Sequence, residues 1–200
     1  MEGRILTGAR LAAAEVGIDR CSMSLICSRA GVGKPTVYLR WEDRWAVMVA
    51  ALEDLPGPPD PDGYQGIVAA AWTAHRHLVT GPYAGFLRAA LDASRLEPTL
   101  QAAVETTVLS PWRAFLGQVA ATQAAADAHP HVDLIMAQLV VAMVRPQEDE
   151  RSRAFSQWLA DVHRQLTRNG PPAPSTAGLS VPPGAVPRIR KAVTTGPSSP

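Results

Sequence analysis

Ser22 to Trp41 read SMSLICSRAGVGKPTVYLRW, and this stretch decides the fold. Ser22 and Ser24 offer hydroxyl oxygens to the unpaired amides of a starting helix, and Leu25, Ile26 and Ala30 follow at helical spacing as one apolar face. Gly31 is placed to end that helix, because glycine takes positive φ without a Cβ clash. Val32 beside it can fill the angle between two helices. Pro35 then falls in the first turn of a second helix, where its missing N–H would have been unpaired anyway. Two short helices joined by a tight glycine turn are the sequence form of a helix-turn-helix, whose second helix lies in the DNA major groove.

A competing reading takes Gly33-Lys34 as part of a phosphate-binding loop. That loop needs a glycine five residues before the Gly-Lys pair and Ser or Thr directly after it. Here the two positions hold Ser28 and Pro35, and a polar-capped helix stands where the loop needs a buried strand. As a DNA-reading element the same residues fit singly. Gly33, Lys34, Pro35 and Thr36 form the leading edge of the second helix, while Tyr38 and Arg40 lie a turn further on with groups that bond phosphate oxygens. Arg44 starts the next helix and is placed to clamp the backbone from the flank.

Outward from this stretch, Ile5, Ala9, Ala12, Ala13 and Val16 line one face of a first helix, Arg4 to Val16, with Gly17 as its stop. Trp45, Val49 and Leu52 mark a helix from Arg44 to Leu55, cut off by Pro56-Gly57-Pro58-Pro59. Beyond this boundary, helices are expected over Tyr64–Thr80, Tyr83–Ser94, Pro98–Ala125 with Pro111 forcing a kink or break, Val132–Val144 and Asp149–Arg168. The almost wholly apolar Val132–Val144 is expected to be buried between others, and His129-Pro130-His131 to be a loop. From Asn169 the composition turns to Pro, Gly, Ser, Ala and Thr, with Arg188, Arg190 and Lys191 as its only charges, which reads as a disordered tail.

The chain as a whole reads as all-α, rich in Ala, Leu and Val. A formal net charge of +1 excludes a global basic field, so DNA binding must rest on a local surface. Cys21 and Cys27 sit among apolar residues and read as reduced, buried side chains. The N-terminus has no apolar leader, and the longest uncharged apolar run, Leu134 to Val144, is too short to span a bilayer. A cytoplasmic protein without membrane contact is expected.

Arg29 to Trp41, RAGVGKPTVYLRW, resembles the A-G-V-[SG]-K-x-T-[LIV]-Y-x-[HR]-[FW] signature of the TetR family of bacterial transcriptional regulators. Gly17 matches the glycine closing that family's first helix, and Ser22 with Ile26 matches its second. The resemblance covers Ile5 to Leu52. It implies that Lys34, Thr36 and Tyr38 contact phosphates or base edges, that Gly33 and Pro35 approach bases closely, and that Arg40 completes the helix surface. Arg44 stands where the family usually has a phosphate-gripping lysine. Ser22 and Ser24, at the start of the first of the two helices, complete the candidate DNA-binding set. Ser24 and Leu39 depart from the family's usual residues, and Glu42 and Asp43 add negative charge that can cap the next helix but would repel phosphate.

The resemblance also implies the architecture: residues 1–55 a three-helix helix-turn-helix domain, residues 62–168 a helical effector-binding and dimerisation domain, and residues 169–200 the tail. Trp72, His75, Phe86, Trp112 and Phe115 are the bulkiest residues of the middle helices and the candidate lining of an effector pocket. The last two long helices are expected to pair two copies, with Phe155, Trp158, Leu159 and Val162 as anchors. His75 and His77 stand two apart and so point to different sides of a helix, which argues against a metal pair. No Ser-His-Asp order, carboxylate pair or glycine-rich cradle suggests catalysis, and no cofactor is implied. The expected function is a ligand-responsive homodimeric repressor on a palindromic operator, with a small apolar effector. The alternative is a constitutive DNA-binding or interaction protein whose second half only dimerises.

Overall fold

A computed structural model describes residues 1–122, 128–144 and 148–168. All regular structure among them is helical: α1 Glu2–Val16, α2 Met23–Ala30, α3 Lys34–Tyr38, α4 Arg44–Glu53, α5 Ile67–Leu78, α6 Ala84–Ala93, α7 Pro98–Ala103, α8 Ser110–Ala121, α9 Ala128–Val144 and α10 Glu148–Arg168. The proposed tail, residues 169–200, lies outside the described residues. None of the described helices is long and apolar enough to cross a membrane.

Local chemistry sets the boundaries. The Ser22 hydroxyl accepts a hydrogen bond from the Leu25 amide at 3.2 Å and so starts α2. Asp43 does the same for α4, accepting from the Ala46 amide at 2.9 Å. Gly31 ends α2 in the left-handed region at φ 63°, and its amide returns to the carbonyls of Cys27 and Ser28. Three expected boundaries are corrected. A single 3-10 turn, Pro61–Gly63, replaces the expected start of α5 at Tyr64, because Gly66 stands at φ 136° and ψ 148°, where a helix cannot begin earlier. The expected loop at His129-Pro130-His131 is the first turn of α9, which tolerates proline. Ahead of Pro111, the backbone of Val104–Leu109 widens into a π-helical stretch that joins α7 to α8 without a break. The proline ring would crowd the carbonyl four residues earlier, and the wider turn relieves that clash.

The core runs without interruption from Ile5 to Leu159. Helix α1 packs on α2, α4 and α6, α4 also meets α7, and α8 packs on α5 and α9. Arg10 ties three of these together: its Nε donates to the Ala51 carbonyl at 3.1 Å, its Nη2 pairs with Asp54 at 2.5 Å, and its guanidinium lies 5.5 Å from the Tyr83 ring at the start of α6. The reading of α9 as buried on all sides holds for Val132, Ile135, Met136, Leu139, Ala142 and Met143 only. Leu134, Val141 and Val144 are exposed.

Candidate nucleic-acid interface

Helix α3 is held by a single buried side chain, Val37, with Trp41 sealing the turn behind it. Everything else on α3 faces outward or is half-covered. Gly33 caps the helix, Lys34 and Pro35 are exposed, Thr36 is half-buried, and Tyr38 is 51% exposed, so Tyr38 is no core aromatic. Among the described residues the side chains of Lys34 and Tyr38 make no hydrogen bond or ion pair. A cation and a phenol left unused on a short exposed helix are free to meet phosphate oxygens. Ser22 and Ser24 are exposed at the start of α2, where Ser22 is already engaged as the cap.

The two arginines of the candidate set are occupied otherwise. Arg40 pairs with Glu2. Arg44 donates to the Asp19 carbonyl at 2.8 Å and lies 4.5 Å over the Trp45 ring. Arg44 also sits near Cys21, whose thiol burial pushes up to about 11, with the Arg44 charge pulling the other way. Cys21 and Cys27 are both free and buried. A thiol so protonated is inert packing material.

Two elements that the sequence did not advertise hold the reading head together. Helix α1 crosses α2 at Gly8, where a Cβ would lie 2.7 Å from the Ala30 nitrogen. Arg4 donates to the Ala30 carbonyl at 3.0 Å and so satisfies an unpaired carbonyl at the end of α2. A glycine inside an otherwise helical run was the available signal for the first. Leu39, already singled out in the sequence, is 85% exposed and presents bare apolar surface directly after α3.

In the second half, the five residues read as a pocket lining are packed on one another or on neighbours. His75 stacks on Phe155 at 4.5 Å, and Trp72 meets both edge-on at 5.5 and 5.8 Å. Trp112 meets Phe115 at 5.5 Å, which in turn meets Tyr64 at 5.1 Å. Phe86 is fully buried. His77 points away from His75, toward Trp112 at 5.0 Å, and donates to the carbonyl of Pro56. Burial holds its pKa below the ordinary 6.5, opposed by that hydrogen bond. Of the expected dimer anchors, Phe155, Leu159 and Val162 are buried within one chain, while Trp158 is half-buried and packs on Phe155 at 5.8 Å. The apolar stripe of α10 faces its own core, because the rings of α5 take up its face.

Residues 5–51 match the family model of bacterial regulatory proteins of the tetR family. Uncharacterized HTH-type transcriptional regulators of Mycobacterium tuberculosis and Mycobacterium bovis are each 44% identical to this chain over 50 residues. That stretch is 25% of this chain and 26% of each relative, so the match spans about a quarter of their length. A solved structure from Mesorhizobium loti, described as a TetR-family transcriptional regulator, covers 80% of this chain and 95% of its own at a TM-score of 0.55. With 16% identity the likeness is one of fold, an N-terminal helix-turn-helix followed by a helical second half. The glycine turn, the capped α2 and the exposed face of α3 thus coincide with residues 5–51, the segment that matches the family model of tetR-family bacterial regulatory proteins.

Proposed function

We propose that the protein is a homodimeric, DNA-binding transcriptional repressor that reads a palindromic operator with one α3 per half-site. The observation that carries the reading is the surface of α3, with Lys34, Thr36 and Tyr38 presented on a helix anchored by one buried valine. Lys34 and Tyr38 serve phosphates, Gly33 and Pro35 allow close approach to base edges, and exposed Leu39 is suited to a thymine methyl. Arg40 reaches DNA only by exchanging Glu2 for phosphate, a swap that an exposed ion pair permits. Ser22, Ser24 and Arg44 flank this surface.

Pairing of two copies is supported by α9. Leu134, Ala137, Val141 and Val144 recur at spacings of three and four on its exposed side, an apolar strip of the kind that a second helix pair covers. This strip, rather than Phe155, Leu159 and Val162, is then the dimer seam, with half-buried Trp158 at its edge.

An effector among Trp72, His75, Phe86, Trp112 and Phe115 would have to part rings that now touch, and would release DNA only through unequal affinity for the closed and parted states. The filled ring layer favours the second reading, a regulator whose second half dimerises without an effector. Selection of duplexes from a random DNA library by the full chain tests the DNA reading. Recovery of an inverted repeat is expected, and recovery of unenriched sequence would sink it. A thermal-shift screen of small apolar molecules separates the two versions, since a ligand at a hundredfold excess over its Kd stabilises by about 2.7 kcal/mol.

A further inference from the structure

The reading head carries seven basic and seven acidic residues over positions 1–55, so its net charge is zero. Such a balance gives a polyanion no long-range attraction. Much of it is struck by direct contact. Arg10 pairs with Asp54, Arg29 with Glu15 and Arg40 with Glu2, while Arg4, Arg20 and Arg44 donate to backbone carbonyls. Of the three carboxylate pairs, Arg40 with Glu2 alone takes up a residue of the candidate DNA-contacting set.

The backbone fixes where Glu2 stands. The first turn of α1, which carries it, is pinned to the turn ahead of α3: Arg4 donates to the carbonyls of Ala30 and Gly31 at 3.0 and 3.4 Å, and Gly8 lets α1 close on Ala30. Glu2 thereby meets a residue 38 positions away, just past the end of α3. The pair contributes little to folding, because Arg40 is 46% and Glu2 56% exposed, and exposed pairs are weak. A carboxylate on a guanidinium does, however, present the negative charge and paired oxygen acceptors that a phosphate would. We propose that Glu2 is a built-in competitor for DNA, occupying Arg40 in the free reading head and yielding it only when a phosphate takes its place. Once displaced, Glu2 stays on the pinned turn, where its charge opposes the phosphate that replaced it. The pair thus sets an affinity threshold that only a well-seated α3 crosses. The inference rests on the reading of α3 as the DNA-contacting helix.

The test is a double-mutant cycle in the full chain, with the selected duplex and a scrambled counterpart titrated at several salt concentrations. Glu2→Gln should bind the selected duplex about threefold more tightly than the native chain at low salt. Its log–log salt slope should be steeper by up to about 0.9 per half-site. In an Arg40→Gln background the same change should leave affinity and slope where they were. Glu15→Gln removes an equal charge from the same helix but acts on Arg29, and should bind as the native chain does. Thermal melts of each variant check that the differences arise in binding rather than folding. Native affinity in Glu2→Gln, an equal gain in Glu15→Gln, or a gain that persists without Arg40 would overturn the proposal and leave the DNA reading standing. A native chain that does not prefer the selected duplex would instead remove that reading, and this proposal with it.

Discussion

Gly8 shows how much the reading head depends on a single absent methyl group. A Cβ there would stand 2.7 Å from backbone and 2.9 Å from the Ala30 side chain, so α1 and α2 must separate to admit it. Gly8→Ala should therefore lower stability by about 1–3 kcal/mol, the ordinary cost of overpacking. Gly3→Ala, on the same helix with nothing within 4 Å, should instead gain about 0.5–1 kcal/mol from helix propensity. Thermal melts of the two variants check both signs. Tyr38 makes the opposite case. Its phenol is exposed and unbonded, so Tyr38→Phe should leave the melting temperature and far-UV spectrum unchanged while weakening operator binding. Gel-shift titration measures that loss. The sequence marked Tyr38, Lys34 and Gly31 because their signal is local: a glycine after an apolar face, a cation and a phenol at fixed offsets. It did not mark Gly8 or Arg4, whose roles arise only when α1 crosses α2, nor the pairing of Arg40 with Glu2 across 38 positions.

At the scale of elements, caps and turns were legible and tertiary direction was not. Ser22, Gly31, Pro35 and Asp43 act where their chemistry placed them. The missed starts of α5 and α9 have physical causes: Gly66 takes a φ that no helix holds, and Pro130 fits a first turn as readily as a loop. The apolar stripe of α10 was legible as a stripe, but periodicity does not say whether the covering partner is the same chain or another. One joint between elements is sensitive to pH. His77 on α5 holds the carbonyl of Pro56 after α4, and burial depresses its pKa below 6.5. The unfolded chain therefore binds the extra proton first, so this contribution is complete above about pH 6.5 and is lost as the pH falls below it. Stability measured from pH 7.5 to 5.5 should decline, and His77→Gln should shallow that decline. An unchanged slope would remove His77 from the account.

Across the whole molecule, a core continuous from Ile5 to Leu159 makes the reading head and the second half one packed body, with Arg10 linking α1, α4 and the start of α6. Helices α1 and α4 carry the packing between the two halves, through α1 on α6 and α4 on α7. The proposed pairing of two copies rests on the apolar strip of α9, where Leu134, Val141 and Val144 are exposed. Leu134→Glu with Val141→Glu should leave the helical spectrum intact and shift sedimentation toward the monomer, with operator affinity falling because two half-sites no longer bind together. Whether α3 reads DNA is decided by the salt dependence of binding to the selected duplex. The log–log slope should be steep for the native chain and lower in magnitude by about 0.9 per half-site in Lys34→Ala, with a scrambled duplex bound far more weakly. Equal affinity for selected and scrambled duplexes, or a slope untouched by the loss of Lys34, would contradict it.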